Sequence, residues 1–381
     1  MDFRLTKEQA DIQKAAMEFA RGEFDADLAL EWDRDQHFPK SLWERACSLG
    51  FVGLQYPEDC GGQGLGFLES VLVTEVFCRH DSGIGMALAL SDFGADLVVE
   101  GGSGEQKRNV LPLLAQGKAL LTFAVLEEGY ALIPFTTTAV VSGSRYRITG
   151  EKFFVTLGDL ASFVIVACQN PGEDKAGQSL FLVESTDPGL RFVSMGDKLG
   201  MRMVPIARAV MNDLFVPDTA LVGKPGSGRA QLMSFLHGAR VKAGAMGIGI
   251  AQGALDRALD YSKKRHQFGR PIGSFDLIRN KLVDMLVQVE MARLLVYRAA
   301  WSLDHGQEDS RSPLMAKMVG VRTAIRAASD AVQIHGGYGY MKEGQVERFY
   351  RDAKVLDLFL EPPQVQRNML ADSMTGRAGT S

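Results

Sequence analysis

Residues 229–264 contain no proline, and their apolar side chains recur at helical spacing. That predicts one helix of about 35 residues, roughly 50 Å long at 1.5 Å per residue. Two further long helical patterns follow, over 276–304 and 312–335. Helices of this length reach burial by packing on one another as a bundle, which assigns residues 227–381 to a C-terminal helical domain. The tail Gly376-Arg-Ala-Gly-Thr-Ser reads as disordered.

The preceding blocks follow other periods. Residues 119–226 hold short β-branched or aromatic runs, among them Thr136-Thr-Thr-Ala-Val-Val, Tyr146-Arg-Ile-Thr, Phe153-Phe-Val-Thr, Phe163-Val-Ile-Val-Ala, Leu180-Phe-Leu-Val and Ala209-Val-Met. Turn residues separate them, so this block is a β domain, barrel-like in outline. Residues 1–118 carry helix punctuation: Thr6-x-x-Gln9, Ser41-x-x-Glu44 and Ser103-x-x-Gln106 read as capping boxes, and Gly50 and Gly101 sit where C-caps fall. The glycine-rich Pro57-Glu-Asp-Cys-Gly-Gly-Gln-Gly-Leu-Gly has no strand before it and reads as a plain loop. The fold class is α+β multidomain.

Composition excludes several roles. The chain has 381 residues, 46% of them hydrophobic, and a formal charge of −4, with no basic stripe for nucleic acid. Cys47, Cys60, Cys78 and Cys168 form no CxxC pair and no zinc spacing, as expected of reduced thiols in a cytoplasm. No apolar run reaches membrane-spanning length, and the amino terminus lacks a signal-peptide core.

Four motifs lie in order over the last third: Arg265-His-Gln-Phe-Gly-Arg-Pro-Ile, Gln333-Ile-His-Gly-Gly-Tyr-Gly-Tyr, Arg351-Asp-Ala-Lys and Leu360-Glu361-Pro362-Pro363-Gln364. A flavin dinucleotide needs a multidentate cation, close backbone approach and an apolar wall, and these motifs offer such groups in separate places. No GxGxxG follows a strand, so a nicotinamide site has no support. In order and spacing the run resembles the acyl-CoA dehydrogenase family, along nearly the whole chain. The resemblance implies FAD as cofactor, an acyl-CoA thioester as substrate, an electron-transfer flavoprotein as acceptor, and homotetramers built through a C-terminal four-helix bundle. It implies that Arg265, Gln267 and Phe268 meet the adenine dinucleotide end of an FAD held mainly by a neighbouring subunit. Gln333, Gly336 and Gly337 would let backbone approach the pyrophosphate. In Glu151-Lys-Phe-Phe-Val-Thr, Phe154 would pack on the flavin and the Thr156 hydroxyl meet N5, with Phe123, Val125 and Gln364 as further cofactor contacts. Arg240 and Leu360 fall on substrate-side positions.

Two departures bear on chemistry. The family's Thr-Glu-Pro-Gly-x-Gly-Ser-Asp reads here as Leu126-Glu-Glu-Gly-Tyr-Ala-Leu-Ile-Pro134, about two residues short, which opens the carrier to CoA or a carrier protein. Removing the proton of an acyl thioester requires a carboxylate opposite the flavin. The family's glutamate position holds Leu360, followed by Glu361, with Pro362 at the flavin-contacting threonine. Glu361 reads either as a base swung inward by the proline pair or as a solvated glutamate at a helix N-terminus. The alternative base position of some relatives is Ala239 here.

Asp92 is the other candidate. On a continuous helix its neighbours are Gly85, Leu88, Ala89, Ala95, Asp96 and Val99, a face on which a carboxylate is costly unless paired or used. A subgroup acting on alicyclic thioesters, cyclohex-1-ene-1-carboxyl-CoA dehydrogenase among them, lacks the usual glutamate and uses an aspartate in the corresponding helix. Carried over, Asp92 is the base; otherwise it is a helix-kink or hydrogen-bonding residue beside Ser91 and Gly94. Three functions remain open: a dehydrogenase with Asp92 or Glu361 as base, a silent subunit of a hetero-oligomeric dehydrogenase, and a flavin oxidase or monooxygenase.

Overall fold

The computed structural model describes residues 4–129, 135–171, 177–307 and 309–376. Pro134 and the tail beyond Gly376 lie outside them. Helices α1 (Lys7–Glu23), α2 (Ala26–Asp35), α3 (Lys40–Ser48), α4 (Phe67–His80), α5 (Ser82–Ala89), α6 (Ala95–Gly101) and α7 (Gly104–Ala115) open the chain. The capping boxes at Thr6 and Ser103 form, each closed in both directions by Gln9 and Gln106. The expected box at Ser41 does not: α3 starts two residues earlier, after Pro39, whose φ of −76° already suits a helix start. Gly101 is the last residue of α6, and Gly102 caps it.

An eight-stranded sheet follows, with β1 (Leu121–Ala124), β2 (Thr138–Ser142), β3 (Arg145–Thr156), β4 (Phe163–Gln169), β5 (Gln178–Glu184), β6 (Leu190–Ser194), β7 (Ile206–Pro217) and β8 (Leu221–Val222). Its order is β6-β7-β3-β2-β4-β5-β8, and β1 runs parallel to β4. One apolar cluster takes Leu190 from β6, Met211 and Val216 from β7, Ile148 from β3, and Val164 and Phe181 from β4 and β5. Strands so far apart in the order share a core only when the sheet curls around it. The two runs expected at Tyr146 and Phe153 form one strand, irregular at 148–150 and 152–155.

The C-terminal domain is α8 (Gly228–Lys264), α9 (Asp276–Asp304), α10 (Arg311–His335), the single turn α11 (Gly337–Tyr340), α12 (Val346–Leu358) and α13 (Pro363–Thr375). Helix α8 is central, packing on α10, α9, α4 and α12. Its glycines allow this: a Cβ on Gly247 would stand 2.7 Å from the Gly320 carbonyl of α10, and one on Gly253 would stand 2.3 Å from the Arg79 carbonyl of α4. The helices touch backbone to backbone, closer than side chains permit.

Candidate active site

A cavity of about 530 Å³ opens where the β domain meets α12 and the α12–α13 link. Phe93, Phe123, Val125, Leu126, Phe153, Phe154, Thr156, Ile206, Phe359 and Leu360 are among its walls. Lys198, Arg351 and Lys354 are its charged lining residues, and no described carboxylate lines it. The register shift in β3 between Lys152 and Val155 turns Phe154 to φ +54° and leaves it 40% exposed on the cavity. Two residues on, buried Thr156 places its Oγ1 3.4 Å from that of Thr122. Arg351 is committed to Asp33 and Glu347, and Lys354 to Asp357. Burial, helped by the neighbouring Arg202 charge, pushes Lys198 down to about 8.

Glu361 is neither solvated nor turned into the cavity, which corrects both readings of it. Its side chain is 1% exposed, and its carboxylate takes Arg240 Nε at 2.7 Å and Nη2 at 2.9 Å. The reason is local. Leu360 adopts φ +63°, and the following residue is thereby turned away from the cavity that Leu360 lines. A bulky side chain in this region costs about 1–2 kcal/mol and persists only where its surroundings hold it. Lys317 Nζ donates to the Phe359 carbonyl and, at 3.2 Å, to the Glu361 carbonyl, which also accepts Gln366 Nε2 at 3.1 Å. Burial pushes Lys317 down to about 8, against the pull of Glu361. Arg240, expected on the substrate side, is 1% exposed and committed to Glu361, with Met369 Sδ at 3.4 Å.

Asp92 does not lie on a continuous helix. Helix α5 stops at Ala89, the Ser91 hydroxyl donates to the Leu88 carbonyl, and Gly94 at φ +110° restarts the chain as α6. The apolar face expected around Asp92 is therefore not formed as a helical stripe, since residues 90–94 make a turn. Asp92 Oδ2 accepts the Tyr56 hydroxyl at 2.6 Å, and Oδ1 lies 3.4 Å from Lys242 Nζ of α8. The Asp92 side chain is 15% exposed and Lys242 19%. Both line a narrow pocket that also takes Gly53, Leu88 and Ala89. The next residue, Phe93, lines the large cavity and stands edge-on to Phe235 and Phe359. Burial, against the Lys242 charge and with that of Asp92, pushes the neighbouring Asp96 up to about 6.

The remaining cofactor candidates gather elsewhere. Arg265, Gln267, Gly336 and Gly337 line a separate cleft of about 470 Å³, floored by the stacked Tyr261 and His335 rings, centroids 4.3 Å apart. Gly336, at φ +61°, ends α10, and a Cβ on it or on Gly337 would meet nothing within 4 Å, so backbone is open to a ligand. Gln333 is exposed on the last turn of α10, and Phe268 is 92% exposed at φ +51°. Gln364 is exposed in the first turn of α13, bonded to Asn368, and is not a lining residue of the cavity. The two halves suit a flavin dinucleotide: an apolar chamber with one buried hydroxyl for a flat ring, and a guanidinium beside bare backbone for the dinucleotide end.

Sequence reading missed Tyr56, Lys242, Phe93, Phe359 and Lys317. Lys242 carried a signal, being one of two cations, with Arg240, in the Ala-Gly-Val-rich stretch of a helix predicted to be central. Lys317 carried none, because its partners are main-chain carbonyls more than 40 residues away.

The chain matches the acyl-CoA dehydrogenase N-terminal domain over residues 6–118, the middle domain over 127–214 and the C-terminal domain over 226–375. It is 37% identical to the probable acyl-CoA dehydrogenase YngJ of Bacillus subtilis, over 97% of this chain and 99% of the relative. It is 36% identical to the cyclohex-1-ene-1-carbonyl-CoA dehydrogenase of Syntrophus aciditrophicus, over 97% of this chain and 90% of that one. The solved butyryl-CoA dehydrogenase of Megasphaera elsdenii superposes with a TM-score of 0.94 at 32% identity, covering 98% of this chain and 100% of that one. With three domain matches in order and two half-sites suited to a flavin dinucleotide, the chain belongs to the acyl-CoA dehydrogenase family of FAD-dependent oxidoreductases.

Proposed function

We propose that this protein dehydrogenates an apolar, ring-bearing acyl thioester and that Asp92 takes the substrate proton. The observation that carries this reading is the unequal state of the two candidate carboxylates. Glu361 is dry and bound at both oxygens by Arg240, whereas Asp92 keeps some exposure and holds one hydroxyl and one more distant ammonium. Freeing Glu361 would strand two buried charges, at about 3–5 kcal/mol. Asp92 needs no such rupture, and its turn carries Phe93 into the cavity wall.

The walls support the substrate class. Phe93, Phe123, Phe153, Phe154 and Phe359 all line the chamber, and flat or ring-shaped apolar groups pack well on such faces. The relative from Syntrophus aciditrophicus carries an alicyclic substrate in its name. Bound FAD supplies the hydride acceptor. Thr156 offers it a hydroxyl, Phe154 a stacking face, and the Arg265 cleft receives a dinucleotide end. Phe268 and Leu277, 92% and 81% exposed, give the C-terminal domain apolar surface for a homotetramer or for a related partner subunit. An electron-transfer flavoprotein is the acceptor this reading requires.

A second reading has one observation in its favour. No described carboxylate lines the cavity, as expected of a subunit that keeps the fold without the dehydrogenation step. Anaerobic titration of the flavin-loaded protein with linear and alicyclic acyl-CoA esters separates the two. Bleaching by one ester class, abolished in Asp92→Asn and retained in Glu361→Gln, supports the dehydrogenase. Absence of bleaching with every ester makes the silent subunit the better account.

A further inference from the structure

Two described leucines, Leu157 and Leu360, adopt the left-handed region, and of these Leu360, 6% exposed, is on the wall of the main cavity. Left-handed backbone suits glycine, and a leucine there must be held from outside. The Glu361 N–H closes the turn by donating to the Phe359 carbonyl at 2.8 Å, and an ammonium braces that turn from outside. Lys317 Nζ of α10 donates to the carbonyl before Leu360 and to the carbonyl after it. The Arg240 guanidinium pins the Glu361 carboxylate, and Gln366 Nε2 takes the Glu361 carbonyl from the other side. Every polar group of the short segment 359–361 that these bonds reach points away from the chamber, and the one side chain between them is apolar. Phe359, next to it, is fixed edge-on to Phe93 with centroids 5.4 Å apart.

We propose that Leu360 is the specificity-determining residue that limits the bulk of the acyl group, and that Lys317 is the positioning residue that keeps it on the cavity wall. This rests on the reading above that the chamber receives an acyl group, but not on Asp92 being the base. A leucine on a rigid wall cannot withdraw. Its isobutyl group removes from the chamber a volume that a smaller residue would leave open, and a binding pocket discriminates by about tenfold or more per methylene that does not fit. With the Lys317 bonds lost, the carbonyls on either side of Leu360 lose their shared brace and the filter loosens.

The test is calorimetric binding of butanoyl-CoA, cyclohexanecarbonyl-CoA and adamantane-1-carbonyl-CoA to the flavin-loaded protein, a readout that requires no turnover. Leu360→Gly is the main variant, because glycine accepts φ +63° and the fold should tolerate it; Leu360→Ala is the second. The wild type is expected to bind the adamantane ester at least about tenfold more weakly than the cyclohexane ester, and Leu360→Gly to bring the two within about threefold. Lys317→Met should relax the ratio in the same direction, with Lys317→Arg restoring it. A merely structural lysine would lower the melting temperature of Lys317→Met and leave the ratio where it was, which would overturn the positioning role. An unchanged ratio in both Leu360 variants, or no binding of any ester, would overturn the size filter. If the esters bind as expected and none bleaches the flavin, the dehydrogenase reading fails while the filter stands.

Discussion

Two buried or half-buried carboxylates, Glu361 and Asp92, differ in what the fold asks of them. Glu361 is closed off with Arg240, a bidentate pair in which each side chain is 1% exposed. Asp92 shares a narrow pocket with a tyrosine hydroxyl at 2.6 Å and a lysine at 3.4 Å, and remains 15% exposed. The first arrangement is fixed by geometry on both oxygens and has no slack for proton traffic. The second stabilises a carboxylate without sealing it. Sitting beside a family-like motif does not decide how free an acid is; the number and dryness of its partners do.

The largest test of that contrast is kinetic. Asp92→Asn should slow flavin reduction by an acyl-CoA about 10²–10⁴-fold in single-turnover stopped flow, the usual weight of a general base, while Glu361→Gln leaves the rate within about tenfold where it folds. A rapid Asp92→Asn variant would end the comparison. Next in size is stability. Arg240→Met strands the Glu361 charge and should cost about 3–5 kcal/mol in urea unfolding, whereas the double change Arg240→Met with Glu361→Leu should recover most of it.

A smaller effect concerns pH. Burial pushes Glu127 up, but the Lys152 charge and the hydrogen bonds from Lys152 and Thr136 outweigh it and hold the carboxyl at about 2, below its usual 4.5. A depressed carboxylate stabilises the fold fully above pH 4.5, and that contribution is lost as pH falls towards 2. Asp352, which burial pushes up to about 6, acts with the opposite sign, its penalty easing as pH falls from 6 towards 3.8. Glu127→Gln should therefore flatten the acid limb of the unfolding free energy, measured by urea titration, by about 2 kcal/mol between pH 4.5 and 2. The smallest effect is Tyr56→Phe, which removes one hydrogen bond to Asp92 at about 1 kcal/mol and should change the reduction rate by less than about tenfold. A Tyr56→Phe loss as large as that of Asp92→Asn would move the proton-transfer role onto the pair.

Much of the architecture could be read from the chain before its coordinates, for physical reasons. Proline-free helical periodicity located α8 and α9 to within a residue, because long buried helices leave a long signal. Strands β1, β6 and β8 went unread. Phe154 and Thr156, singled out from one contiguous motif, both fall on the wall of the main cavity. The site was illegible where a turn residue decides the outcome. Gly94 interrupts what looked like a continuous helix around Asp92, and the left-handed Leu360 sends Glu361 to Arg240. Ser91 and Gly94 offer a local hint of the first event, but none announces the second, which depends on partners from α8 and α10.

Helix α8 carries a metric consequence. It begins against the β domain, where a Cβ on Gly228 would stand 2.7 Å from the Gln178 backbone, passes Arg240 and Lys242 at the two acids, and ends at Arg265 beside the cleft of Gly336 and Gly337. Over 37 residues the helix works as a ruler of roughly 55 Å that sets the angular phase of all these groups at once. Inserting one residue between Lys242 and Gly247 would rotate one end against the other by about 100°. The acids and the cleft would then face different directions, although every individual contact residue would still be present in the sequence.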